Sequence, residues 1–214
     1  MIGALATHAR IRDDVRVRAA FPLLAEAASV VGAAAIQNRG TLGGNIANAS
    51  PAGDSFPPLA VYDAVVRTVS PDGKRQCSFL DVFAGPKKTS LGPAELITAV
   101  DLPTLRKRPS RQMFRKIGTR AAQALSKTVA AGLLWLDSRG RVEELRFALG
   151  AMAPTVRRLH AAEAYVFGRR LTPATVDRAV ELLAEDVSPI DDVRSTAAYR
   201  LAVSRALLRG FLRS

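Results

Sequence analysis

Residues 125–152, LSKTVAAGLLWLDSRGRVEELRFALGAM, hold two long apolar runs around the polar turn DSRG at 137–140. Each run is predicted to be a strand, the second folding back along the first. Beyond these two strands the chain is predicted to be helical. TVRRLHAAEAYVFG (155–168) has a helical period and a closing glycine, and TPATVDRAVELLAEDV opens with Thr172 as N-cap and Pro173 at the first helical position. The chain ends in DDVRSTAAYRLAVSRALLRGFL, where Ala197, Leu201, Ser204, Leu208 and Phe211 share one helix face. Strands followed by helices, without βαβ alternation, predict an α+β fold.

Upstream, apolar residues at helical spacing (Leu23, Leu24, Ala27, Ala28, Val31) lie between Pro22, where a helix can begin, and Gly32, where one can end. PPLAVYDAVVRTV (57–69) begins apolar and runs into a β-branched segment. The turn signal SPDGK and a returning RQCSFL then make it a hairpin. ELITAVDLP (95–103) and QMFRKIG are further strand candidates. TLRKRPSR (104–111), polar, basic and proline-containing, is the expected boundary between two units, residues 1–105 and 106–214.

Composition narrows the function classes. At 214 residues and 48% apolar content the chain can bury a core, and it holds no apolar run of the roughly 18 residues that a membrane span needs. Cys77 is the only cysteine, which excludes an internal disulfide, a four-thiolate zinc site and an iron–sulfur cluster held by this chain alone. With no signal-peptide pattern at MIGALATHARIRDD, a cytoplasmic protein is expected. The net charge of +12 favours an anionic partner, but the arginines are dispersed and only 6% of residues are aromatic. Nucleic-acid binding therefore rests on charge alone and is not expected. His8 and His160 have no catalytic partner in sequence and read as packing or surface residues.

GTLGGNIANASPAGD (40–54) carries glycines at 40, 43, 44 and 53. Glycines at 40, 43 and 44 permit positive φ and a close backbone approach, and exposed amides in such a loop form an anion-attracting nest. Thr41, Asn45, Asn48 and Ser50 add the donors that grip a pyrophosphate, and Asp54 can accept from a sugar hydroxyl. The competing reading is an ordinary loop whose Ile46 and Ala47 plug a core. The stretch is neither of the two common phosphate-binding loops.

IQNRGTLGGNIANASPAGDSFPPLAVYDAVV (36–66) resembles the second FAD-binding motif of the flavoprotein subunit of molybdenum hydroxylases, the family of xanthine dehydrogenase and carbon monoxide dehydrogenase. FAGPKKTSLGPAELITAVDLP, FRKIGTRAAQALSKTVAAGL, ALGAMAPTVRRLHAAEAYVFGRRL and PIDDVRSTAAYRLAVSRALLRGFL are similar to later segments of the same subunit, so the resemblance covers nearly the whole chain. It implies the C-terminal part of a PCMH-type FAD-binding domain, followed by a CO dehydrogenase flavoprotein C-terminal-like domain of antiparallel sheet and helices. It also implies FAD as cofactor, held by Thr41, Leu42, Gly43, Gly44 and Asn45, with Asp54 on a sugar hydroxyl. Ile97, with Leu96 beside it, is expected to touch the flavin, and Lys116 or Arg115 to sit near the isoalloxazine. The bland alternative for that basic pair is a solvated charge.

The implied partners are a molybdenum-cofactor large subunit and a [2Fe–2S] small subunit, with electrons passing from the clusters to FAD and on to NAD or another acceptor. No membrane is implied. Family members carry a further glycine-rich FAD loop ahead of the segment that IGALATHARIRDD resembles, and nothing in this chain is similar to it. Met1 therefore reads as a truncated or alternative start, or as the beginning of the second piece of a split protein. Each charge-assisted bond so removed is worth about 1.5–3 kcal/mol. A chain supplying the missing lobe, or a homodimer, is the expected remedy. The alternative is a non-catalytic assembly or interaction domain that no longer binds FAD productively.

Overall fold

The computed structural model describes residues 1–120 and 123–214. A short strand β1 (Ile2–Gly3) leads into five helices: α1 (His8–Asp13), α2 (Val15–Ala20), α3 (Pro22–Val30), α4 (Ala34–Arg39) and α5 (Leu42–Ala47). Helix α6 (Phe56–Val61) precedes the hairpin of β2 (Val65–Ser70) and β3 (Gly73–Ser78). A 3₁₀ turn over Phe79–Val82 leads to a two-stranded ribbon, β4 (Phe83–Gly85) and β5 (Lys88–Thr89), and then to β6 (Leu96–Asp101). The second half holds β7 (Arg111–Ile117), β8 (Thr128–Leu136), β9 (Val142–Gly150) and β10 (Arg157–Arg158), followed by α7 (His160–Val166), α8 (Pro173–Asp186) and α9 (Ala197–Arg213).

Two antiparallel four-stranded sheets result, ordered β1-β6-β2-β3 and β10-β9-β8-β7. The predicted strand pair is β8 and β9, and β8 explains why its sequence does not alternate. Val129, Ala131, Leu133 and Trp135 join the core of the first half, while Ala130 and Leu134 join the core under α7–α9. A strand buried on both faces has no polar side to show. Gly132 lies between these residues, where a Cβ would come within 2.8 Å of Phe147 and 2.9 Å of Phe211. Its missing side chain lets α9 pack directly on the sheet.

Local signals act where the sequence places them. Thr172 accepts from the Thr175 amide at the head of α8, with Pro173 following, and α3 begins at Pro22. The N-cap of α3 makes no side-chain cap bond; instead the buried Tyr62 hydroxyl accepts from the Leu23 amide (3.4 Å), and the Tyr62 ring stands edge-on to Phe21 at 5.2 Å. PPLAV, predicted only as an apolar lead-in, is helical because Pro57 and Pro58 fall in the first turn of α6, where no amide donor is required.

The two halves are tied by two ionic clusters. Arg146 and Arg158 leave the second sheet, donate to the carbonyls of Val61 and Ala60 at the C-terminal end of α6, and pair with Asp63 at 2.6 and 3.0 Å. Cations at the carbonyl end of a helix complement its dipole. The second cluster centres on Asp54.

Candidate functional site

The glycine-rich segment is not the open loop that its composition suggests. Gly40 has φ −65, and Gly43 and Gly44 lie inside α5, so none of the three uses positive φ. Thr41 is the N-cap and its Oγ1 accepts from the Gly44 amide at 3.1 Å. The Leu42 amide donates to Ala6 O (3.0 Å), Gly43 to Ala4 O (2.8 Å) and Asn45 to Thr41 O (2.9 Å). The amide nest expected from the sequence is therefore absent, because capping and the neighbouring 4–6 segment already take these donors. Gly43 is required by packing: a Cβ there would lie 2.6 Å from the Ala4 Cβ. Leu42 and Gly43 are buried beneath the helix and present no side chain to a ligand.

What faces outward is a stripe of side chains. Leu42, Gly43, Ile46 and Ala49 point into the protein, while Thr41, Gly44, Asn45 and Asn48 fall together on the other side at helical spacing. A Cβ on Gly44 would meet only Thr41 Oγ1, at 2.9 Å, and otherwise stand in open space. A ligand can therefore lie close against the helix at that point. The buried Ser55 hydroxyl donates to Asn45 Oδ1 (2.7 Å), which leaves the Asn45 amide group to donate outward. This set of hydroxyl and amide donors beside a bare glycine fits a diphosphate with its adjoining polyol chain, so the residues present fit FAD.

Asp54, expected on a sugar hydroxyl, has both carboxylate oxygens bonded within the protein. Its Oδ2 accepts from Lys116 Nζ and its Oδ1 from Ser126 Oγ, both at 2.6 Å, and the residue is 8% exposed. Lys116 Nζ also donates to the Val30 carbonyl at the end of α3 (2.9 Å). The reading of Lys116 as a solvated charge is thereby corrected: it is bonded and nearly buried. Burial pushes the Asp54 carboxyl above its ordinary range, with the charge and hydrogen bond of Lys116 and the Ser126 bond pulling it partway back. Arg115, the next residue back on β7, leaves the opposite strand face, is exposed, and donates to the Phe114 carbonyl at 3.1 Å. The structure thus joins Lys116 and Asp54 and leaves Arg115 outside.

On β6, against which α5 packs, Ile97 rests partly on the core and Leu96 is 69% exposed. Ser55, Ser126 and Lys87 had no sequence signal; each is placed by a contact with a residue distant along the chain. His8 is buried, its Nδ1 has no hydrogen-bond partner among the described residues, and burial lowers its pKa. His160 is exposed, 3.5 Å from Glu163. Among the described residues no cluster of acids, histidines and cysteines is arranged to hold a metal, and no helix is long and apolar enough to cross a membrane.

Residues 1–105 match the family described as the FAD binding domain in molybdopterin dehydrogenase, and residues 113–214 match the CO dehydrogenase flavoprotein C-terminal domain. The nicotine 6-hydroxylase medium subunit of Paenarthrobacter nicotinovorans is 32% identical over 207 residues, covering 97% of this chain and 71% of that protein. The carbon monoxide dehydrogenase medium chain of Hydrogenophaga pseudoflava is 27% identical, covering 98% and 72%. Among solved structures, carbon monoxide dehydrogenase from Hydrogenophaga pseudoflava superposes with a TM-score of 0.91 at 28% identity, over 98% of this chain and 72% of the other. Quinoline 2-oxidoreductase from Pseudomonas putida 86 gives 0.88 at 27% identity, over the same shares. The two family matches, the relatives and the superpositions agree, and this chain belongs to the FAD-binding medium subunits of the molybdenum hydroxylase family.

Proposed function

We propose that the chain is the electron-transfer component of a molybdenum hydroxylase. It would receive electrons from the [2Fe–2S] clusters of a small subunit, downstream of a molybdenum-cofactor large subunit, and pass them to NAD or another acceptor. The names of the relatives, medium subunit and medium chain, support an assembly of this kind. The observation that carries the reading is the exposed stripe of Thr41, Gly44, Asn45 and Asn48, all donors or bare backbone.

Bound FAD supplies the exchange between single electrons and a two-electron acceptor. The chain supplies grip and electrostatics. Thr41 and Asn45 would donate to the diphosphate and ribityl chain, Gly44 would leave room for them, and Leu42 and Gly43 would hold the helix in place from below. Leu96 and Ile97 would offer the apolar edge of β6 to the flavin. Lys116, fixed between Asp54 and the Val30 carbonyl, would hold a positive charge near the ring without moving, and is the better candidate than Arg115 for that role. We place the complex in the cytoplasm, where a chain with one cysteine needs no oxidising compartment.

A second reading, an assembly or interaction domain without productive FAD binding, is favoured by an open groove of about 560 Å³ beside β1. It is lined by Ile2, Leu5, Val17, Phe21 and Leu102, and Leu5 is 83% exposed. Under the first reading this apolar surface takes a further lobe of the FAD clamp, on the same or another polypeptide, or a second copy of the chain. Titration with FAD, followed by flavin fluorescence, separates the two readings. Saturable uptake, by the chain alone or with its partner subunits, is expected; no uptake in either case removes the first.

A further inference from the structure

We propose that Lys87, at the tip of the β4–β5 ribbon, is the cation of a diphosphate subsite on α5 and acts there together with Asn48. This inference rests on the FAD reading and adds a residue from an element outside the glycine-rich segment.

The ribbon is fastened to the end of α5 by its backbone. Lys87 has φ +59 and Ala49 has φ +46, both in the left-handed region that non-glycine residues seldom occupy, and the Lys87 amide donates to the Ala49 carbonyl at 2.9 Å. Two residues held in that region mark a tip whose position is imposed by its surroundings. The Lys87 side chain then reaches Asn48, its Nζ donating to Oδ1 at 2.9 Å.

That bond sets the polarity of the face. A lysine ammonium can only donate, so Asn48 must turn its carbonyl oxygen toward Lys87 and its amide group away. Ser55 does the same for Asn45 from the inside of the protein. Among the described residues, both asparagines thus have their acceptor ends occupied by protein and their donor ends free. With the Thr41 hydroxyl, the face is rich in donors and poor in acceptors, which selects an oxyanion over a cation. The backbone amides of residues 42–45 are already bonded internally, so they cannot balance the ligand's charge. Lys116 already gives two of its donors to Asp54 and the Val30 carbonyl. Lys87 is exposed, and among the described residues its ammonium has one hydrogen bond, to a neutral amide. Two of its three donors remain for a phosphate oxygen.

The test is a fluorescence titration of the full chain with FAD and with riboflavin, plus competition by ADP, for wild type, Lys87→Ala and Lys87→Arg. Lys87→Ala is expected to weaken FAD and ADP about 10-fold, to reduce the salt dependence of FAD binding, and to leave riboflavin, which has no phosphate, unchanged. Lys87→Arg should retain most of the affinity. FAD and ADP affinities unchanged in Lys87→Ala overturn the subsite alone. Equal weakening of riboflavin overturns it as well, since the lysine would then act through the fold. A wild-type chain that takes up no FAD, even with its partner subunits, overturns the FAD reading and the subsite with it.

Discussion

Asp54 and Asp63 each carry an aspartate from the first half of the chain to cations on the second sheet, yet their settings are opposite. The Asp54 side chain is 9% exposed and its partner Lys116 12%, whereas Asp63 is 52% exposed beside Arg146 at 18% and Arg158 at 10%. Inside, a pair that loses one member leaves an unsolvated charge; at Asp63, water reaches the carboxylate, and Arg146 and Arg158 keep Glu144 and Glu163 as partners. Two contacts that look alike as distances therefore differ several-fold as energies. The buried one serves position, holding Lys116 at one point against the end of α3, and the exposed one adds to the hydrogen bonds that Arg146 and Arg158 already make with α6.

The largest test of that contrast is Lys116→Met. It strands the Asp54 carboxylate and is expected to cost about 3–5 kcal/mol in urea unfolding. Adding Asp54→Asn should recover part of the loss, because the buried charge is then gone. A double variant no more stable than the single one would show that the lysine stem, not the pairing, matters.

Next in size is the acid limb of stability. The Asp54 carboxyl is raised by burial, so it holds its proton more tightly folded than unfolded. Taken alone it adds stability as pH falls through its folded pKa toward the ordinary 3.8. Asp192 is the reverse case. Hydrogen bonds from Arg194 hold its carboxyl well below the ordinary range against the opposing effect of burial, and the fully buried Arg200 adds its charge. Its contribution is complete above the ordinary value and is lost as pH falls below it. Asp192→Asn is expected to flatten the decline of Tm below about pH 4, and Asp54→Asn to steepen it. Parallel curves for the two variants would contradict this assignment of signs.

His8 predicts a smaller effect nearer neutrality. Burial lowers its pKa, so it stays neutral when folded and takes up a proton on unfolding; stability is complete above the ordinary 6.5 and declines as pH falls below it. A thermal-melt series in His8→Phe should lack that decline. The smallest effect is at Asp63. Its replacement by Asn should cost no more than about 1 kcal/mol, and less at high salt, as read from the urea midpoint. A loss equal to that of Lys116→Met would erase the contrast between the two clusters.

Much of the fold is readable from local chemistry. The turn at 137–140, the cap at Thr172, the start at Pro22 and the Leu208 and Phe211 face of α9 each rest on neighbouring residues, and the structure contains them. What local pattern hides is anything with a distant partner. Arg200 lies in α9 beside the apolar face and is 1% exposed, because Asp192 and the carbonyls of Lys127 and Ala151 receive it. The glycines of α5 suggest a loop because their helix propensity is low. The helix forms through the Thr41 cap and the acceptors offered by Ala4 and Ala6, about forty positions away, a separation that no window of neighbours covers. Asp54 is conspicuous in sequence as an acceptor, but nothing near it announces Lys116 and Ser126 as its donors.

The double burial of β8 makes the two halves inseparable in practice. The linker between β6 and β7 is exposed over residues 106–108, so a protease could nick it there. Yet each resulting fragment would carry apolar surface that only the other covers, since one face of β8 completes the first core and the other face the second. Nicked protein should therefore stay together under native conditions and come apart only when it denatures. Neither half, made alone, would be a transplantable module: the border between the two family segments divides the sequence but not the folded body.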